Sequence, residues 1–176
     1  MRDFIDKTLE KIKGLTPDAR ARRELDSIEW FKNAMKRSNS IEDMQYFKPI
    51  GYTMIGHMFM YRYDPKLKDT LTVWDEYPLI IPFRIERDGW YGINLHFMPI
   101  EYRVVLIGAL LTHTEKRREK IDFEGIVALI KRGKLDGAIK HYLASHVKSR
   151  LITVDARYWR NAVHLPIQKF HHKKVA

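Results

Sequence analysis

Asp88-Gly89 sits between two runs of strand-forming residues, and this arrangement constrains the fold more than any other feature of the chain. Two-residue hairpin turns demand positive φ, which Asp and Gly tolerate. The flanking runs, Leu79 to Ile85 and Trp90 to Phe97, are therefore expected to pair as antiparallel strands around an Arg87-Asp88-Gly89 turn. Pro78 and Pro82 cannot donate to a ladder, which makes the first run an edge or bent strand. A further strand is expected from Gly56 to Tyr63, closed by the turn residues Asp64-Pro65-Lys66. Together these predict a small antiparallel β module over about residues 50–98, with an SH3-like barrel as its compact form.

Helical periodicity flanks the module on both sides. Phe4, Ile5, Leu9 and Ile12 share one helical face, and Gly14 ends that segment. Thr16-Pro17-Asp18 then supplies a hydroxyl cap, a first-turn proline and an acid, the start of a second helix. Ala21, Leu25, Ile28, Phe31 and Met35 give that helix a narrow apolar stripe suited to packing on the rest of the chain. Ser38-Asn39-Ser40 breaks the pattern, so residues 1–38 read as an N-terminal helical extension and 41–176 as an α+β domain.

Within the domain, residues 99–176 read as helical and basic. Pro99 opens a helix whose stretch Tyr102 to Leu111 is apolar on nearly every side and so is expected to be buried. Asp122 caps another, with Phe123, Ile126, Val127 and Ile130 at i, i+3, i+4, i+7 and Gly133 at its end. Leu135, Ile139, Tyr142 and Leu143 predict a further helix, and Arg150 to Val154 a short strand. Asp155 is the expected cap of a last helical turn near Trp159 that Pro166 stops, and the chain from His171 reads as a solvated tail. The fold class expected is α+β, a small antiparallel module flanked by N-terminal and C-terminal helices.

Several chemistries lack their residues. The chain has no cysteine, which excludes a disulfide framework, a thiolate zinc site and a cysteine nucleophile, and fits assembly in a reducing cytoplasm. No Gly-Lys-Ser/Thr phosphate loop and no Gly-x-Ser-x-Gly elbow occurs. None of the eight histidines forms a metal-binding pair with an intervening Glu. His141 and His146, five apart, fall on different faces of the helix expected there. His57 and His96 lie on expected strands, where they approach across the sheet as structural histidines or, in a nuclease reading, as catalytic ones. Asp64, Asp69, Asp75 and Glu76 read as a solvated acidic turn. The longest apolar stretch, Val104 to Leu111, is far short of the roughly 20 residues that cross a membrane. The opening Met1-Arg-Asp-Phe-Ile-Asp-Lys is too charged for a signal peptide. No catalytic residue, metal site or cofactor is expected.

Charge is the strongest functional signal. The net +10 is concentrated at the end: residues 101–176 carry 16 Lys or Arg against 7 Asp or Glu, whereas residues 41–100 carry 6 against 8. Such asymmetry points to a polyanion or an acidic protein surface as partner. Lys116, Arg117, Arg118 and Lys120 fall in a connection between helices, Lys131, Arg132 and Lys134 flank Gly133, and Lys148, Arg150, Arg157 and Arg160 follow. These are the candidate phosphate contacts, although cations at a helix C-terminus also serve its dipole. No zinc finger, RNP motif or helix-turn-helix pair accompanies them, so backbone binding is indicated rather than base reading.

Three blocks carry a resemblance: Gly56-His-Met-Phe-Met-Tyr-Arg-Tyr-Asp-Pro-Lys66, Trp74-Asp-Glu-Tyr-Pro-Leu79 and Asp88-Gly-Trp-Tyr-Gly-Ile-Asn-Leu-His-Phe-Met-Pro99. Lys148-Ser-Arg-Leu151, Trp159 and Ala162-Val-His-Leu-Pro166 continue it in the same order. The chain here resembles the DNA end protector or head/tail completion proteins of T4-type contractile-tailed phages. It departs from that pattern at Leu71-Thr72-Val73, and the likeness does not reach the N-terminal helices. The resemblance implies a minor virion protein, without enzyme activity or cofactor, that binds duplex DNA ends and neighbouring neck, tail or baseplate subunits within a larger assembly. Two alternatives stand beside it: a purely structural baseplate or tail-hub subunit, and a small nuclease on an SH3-like barrel.

Overall fold

The Asp88-Gly89 hairpin forms, but by different means from those its sequence suggests. Strand β3 (Leu79–Ile85) pairs antiparallel with β4 (Gly89–Asn94), Ile85 facing Trp90. The Glu86 N–H donates to the Gly89 carbonyl at 2.9 Å, so Arg87 and Asp88 are the turn residues. Positive φ among the described residues occurs at Gly56 (82°) and Lys134 (55°), not in this turn. Gly89 is needed for a different reason: a Cβ there would lie 1.9 Å from the Tyr142 carbonyl oxygen on β5 (Ile139–Leu143).

The computed structural model describes residues 2–38, 54–71, 73–116, 121–165 and 171–173. Five strands make one antiparallel sheet in the order β5-β4-β3-β1-β6, where β1 is Met58–Met60 and β6 is Ile152–Val154. The sheet is open, with β5 and β6 as its edges, so the expected SH3-like barrel is not formed. A lone bridge between Tyr63 and Val147 ties the continuation of β1 to the connection from β5 to β6, and pairing stops there. Strand β3 is interior, not an edge. Its prolines are tolerated because β1 pairs only as far as Leu79 and Ile80, and the register with β4 shifts between Pro82 and Arg84.

The predicted helix around Leu135 to Leu143 is instead a 3-10 turn, Asp136–Ala138, followed by strand β5. The i, i+4 spacing of Leu135 and Ile139 spans the junction of two elements, and Ile139, Tyr142 and Leu143 belong to the strand. Residues His171–Lys173, expected as tail, form β7 and pair with β2 (Val73–Asp75) in a second, two-stranded sheet.

Alternation along β1 sends Met58 and Met60 to one face of the sheet and Phe59 to the other. The first face is covered by helices. Helix α1 (Arg2–Lys13) contributes Ile12, and α2 (Pro17–Ser38) contributes Phe31 and Ala34. Helix α3 (Ile100–Lys116) adds Val104, Leu106, Ile107 and Leu110, leaving Val105 exposed. Ile130 comes from α4 (Phe123–Arg132), and Trp159, Ala162 and Val163 from α5 (Trp159–Val163). The stripe expected on α2 is only half used: Ile28, Phe31 and Met35 pack inward, whereas Leu25 is 62% exposed and Ala21 is exposed as well. On the other face an aromatic cluster of Tyr61, Tyr63, Trp90 and Tyr142 fills the curl of the sheet, Tyr63 and Tyr142 meeting edge-on at 5.1 Å.

Arg103 locks α3 to the C-terminal segment. It is 1% exposed, and its guanidinium donates to the carbonyls of Met98 (2.8 Å), Ala162 (3.1 Å), Val163 (3.3 Å) and Leu165.

Candidate nucleic-acid interface

Among the described residues, the expected phosphate contacts fall at the end of α4, along a cleft beside Arg62, and in the chain around α5. Residues 117–120, with Arg117, Arg118 and Lys120, lie outside the described residues, as does the side chain of Lys116. Lys131 and Arg132 occupy the last turn of α4 and Lys134 follows Gly133, all three exposed. Asp122 caps the start of this helix by accepting from the Gly125 N–H at 2.8 Å, as its sequence position suggests. At its end the left-handed residue is Lys134 rather than Gly133, and the Leu135 N–H returns to the Ile130 carbonyl at 3.0 Å. Gly133 is required for packing, since a Cβ there would lie 2.5 Å from the Tyr102 hydroxyl on α3. The three cations thus project from a helix end pinned against the body.

Lys148 and Arg150 stand elsewhere, beside Arg62. The Lys148 N–H donates to the Arg62 carbonyl, and the Arg62 N–H donates to Ser149 Oγ, both at 2.8 Å. This zipper places the three cations along a cleft of about 900 Å³ that Trp74 also lines. The cleft is electrically mixed. Arg62 Nε donates to Glu76 at 2.9 Å and Lys68 Nζ to Asp64 at 2.7 Å, with Asp69 nearby. The Lys68 hydrogen bond holds the Asp64 carboxyl below its ordinary pKa.

Arg157 is held close to home. Asp155 accepts from the Arg157 N–H at 3.0 Å and from its guanidinium at 3.2 Å, capping the 3-10 turn Ala156–Tyr158. Arg160, one residue into α5, lines a different pocket of about 430 Å³ between α1, α2, α3 and α5. Lys7 and Lys11 of α1, Arg23 of α2 and His164 line it as well. Arg23 Nη1 lies 3.4 Å from His164 Nε2. Burial, then the charges of Arg23 and Arg103, push the His164 pKa below its ordinary value. Lys7, Lys11 and Arg23 lie outside the charge excess of residues 101–176, which does not point to them. The readable signal was Lys7 and Lys11 at i, i+4, a like-charge pair on one helical face.

The histidines of the nuclease reading do not meet. His57 is exposed and lies edge-on to Phe59 at 6.5 Å. His96 is 0% exposed, in a 3-10 turn rather than a strand, with Nδ1 2.6 Å from Asp75. Asp75 is no solvated acid: it is 5% exposed, accepts from Asn94 Nδ2 at 3.1 Å, and takes the Tyr77 N–H at 3.0 Å. Asn94 Nδ2 also donates to the Tyr142 hydroxyl at 3.0 Å. The His–Asp pair joins the sheet to the turn before β3, with the imidazole fully enclosed and Asp75 also lining a pocket of about 360 Å³. His141, on β5, stacks on Tyr91 at 4.6 Å, while His146 lies in a 3-10 turn with Nδ1 2.7 Å from the Asp64 carbonyl oxygen. Among the described residues, no group of three or more His, Asp or Glu is placed to hold a metal ion, and no helix is long and apolar enough to cross a membrane.

The fold and these surfaces define a mixed α+β protein whose cations stand on helix ends and in open clefts. The chain belongs to the family of the phage T4 terminal DNA protecting protein, whose family model matches residues 1–176. The resemblance carried by the blocks from Gly56 onward thus extends through the N-terminal helices as well. No curated protein and no solved structure gives a significant match.

Proposed function

We propose that this protein is a non-enzymatic minor component of a contractile-tailed phage virion that binds the end of the packaged duplex and shields it. The observation that carries the reading is the match of all 176 residues to the terminal DNA protecting family. The geometry supports it. Lys131, Arg132 and Lys134 project together into solvent from a rigid helix end, where phosphate oxygens can be met without burying the cations.

The test is the salt dependence of affinity for short blunt duplexes. Each phosphate neutralised contributes a slope of about −0.9 in log affinity against log salt. Replacing Lys131, Arg132 and Lys134 by Gln together should weaken binding to every sequence alike and flatten the slope, because phosphate contacts carry no sequence information. Weak binding with a shallow slope that the triple variant leaves unaltered would overturn the DNA reading.

A second reading, a structural neck, tail or baseplate subunit, draws on the mixed cleft. Three carboxylates, Asp64, Asp69 and Glu76, stand among Arg62, Lys68, Lys148 and Arg150 around Trp74. A polyphosphate surface would be repelled by those acids, whereas a protein surface carrying both signs and an apolar insert would not. The two readings are compatible if the cleft faces a neighbouring subunit and the cationic helix end faces DNA.

A further inference from the structure

The pocket between α1, α2, α3 and α5 has a chemistry that the mixed cleft lacks. Lys7, Lys11, Arg23 and Arg160 converge on it from three helices, and no carboxylate is among the residues that line it. Its floor is apolar, built from Ile12, Val104 and Ile107, all buried in the main core. Lys7 and Lys11 share one face of α1 at i, i+4, so both can be presented to the same recess. Lys11 and Arg160 stand in the last turns of α1 and α5, where a cation suits the helix dipole. His164, driven toward its neutral form, can accept from Arg23 and steady that guanidinium at the pocket wall.

Concavity decides which phosphate fits. An internal phosphodiester carries one charge and continues into sugar on both sides, so a recess this enclosed by helices admits it poorly. A terminal phosphomonoester carries about −1.5 to −2 at neutral pH, three exposed oxygens and a single ester arm. It can enter head first, with the arm and terminal sugar leaving across the apolar floor. We infer that this pocket receives the terminal phosphate monoester of a nucleic-acid end, held by Lys7, Lys11, Arg23 and Arg160. The inference rests on the reading that the chain binds duplex ends and names the part of the end that is recognised.

The experiment compares blunt duplexes of one sequence that carry a phosphate at the 5′ end, at the 3′ end or at neither, with inorganic phosphate as a separate arm read by thermal stabilisation. A phosphorylated end should bind about tenfold or more tighter than the hydroxyl end, the size of a single charge-assisted hydrogen bond or more. Lys11→Gln and Arg160→Gln, both at exposed positions, should each weaken binding of the phosphorylated duplex several-fold more than binding of the hydroxyl-ended one, and so collapse that ratio. Equal affinity for all three duplexes, with steep salt dependence intact, would overturn the pocket assignment and leave the DNA reading standing. Loss of all duplex binding, with phosphate still stabilising wild type and not the variants, would overturn the DNA reading and keep the pocket as a site for phosphate from another source. Absence of both effects overturns both.

Discussion

The Tyr142 carbonyl oxygen on β5 stands 1.9 Å from where a Cβ on Gly89 would be, so β4 and β5 can pair only because residue 89 has no side chain. The atom in the way is backbone, which cannot swing aside. Gly89→Ala should therefore cost about 1–3 kcal/mol, the scale of overpacking in a well-packed site. Arg87→Ala, in the adjoining turn but exposed, should stay within about 0.5 kcal/mol of wild type. Urea midpoints of the two variants check this. Equal midpoints would mean that the approach of β5 does not demand a glycine at position 89.

Arg103 predicts a larger effect. Burial pushes its pKa down to about 10, so it remains charged at neutral pH while serving four carbonyls near α5. Arg103→Met keeps the volume and removes every donor, stranding those buried acceptors. The expected loss is about 2–4 kcal/mol, with the chain around α5 cut first in limited proteolysis. Arg103→Lys should not restore stability, since one ammonium cannot span carbonyls that a planar fork reaches from two sides. Wild-type stability in the Lys variant would show that charge, not geometry, matters there.

Much of the fold was legible where one local rule decided the outcome. Pro17, Asp122 and Asp155 each begin a helix or turn as their chemistry dictates, and the β3–β4 hairpin follows from alternation on either side of Asp88. Errors arose where tertiary contact overrode a local signal. Tyr142 reads as helical by spacing, but β4 offers it a ladder and Tyr61, Tyr63 and Trp90 an aromatic wall. Asp75 looked like one acid in a solvated turn; its burial depends on Asn94 and His96, some twenty residues away, which no local pattern shows. The cations divide in the same way. Lys148 and Arg150 could be named from charge, but not the carboxylates that accompany them, and the pocket of Lys7, Arg23 and Arg160 joins three helices distant in sequence.

The buried His96–Asp75 pair yields a prediction about chemistry as well as stability. His96 is fully enclosed, with Phe31 edge-on to its ring at 5.0 Å, so its imidazole is shut off from solvent. Purified protein should not cleave DNA or RNA, with or without magnesium. His96→Ala should destabilise by about 2–4 kcal/mol through the cavity it leaves and the buried contact to Asp75 it removes. Turnover by wild type that the exposed His57→Ala or the buried His96→Ala abolishes would restore the nuclease reading.

His164 makes stability depend on pH in a definite direction. Its folded pKa lies below the ordinary 6.5, chiefly through burial and secondarily through the positive charges of Arg23 and Arg103. Between the folded value and 6.5 the unfolded chain binds more protons than the folded one, so stability rises with pH across that window and falls on acidification. Acidifying from pH 7 toward 5 should therefore lower the denaturation midpoint of wild type more than that of His164→Gln. The imidazole is only half-buried, so solvent screens part of the effect. An anion seated among Lys7, Lys11, Arg23 and Arg160 would offset those positive charges and favour the protonated ring. Saturating phosphate should accordingly shrink the difference in acid sensitivity between wild type and His164→Gln, whereas chloride at equal ionic strength should not. A difference that neither salt alters would mean that no anion binds in the pocket.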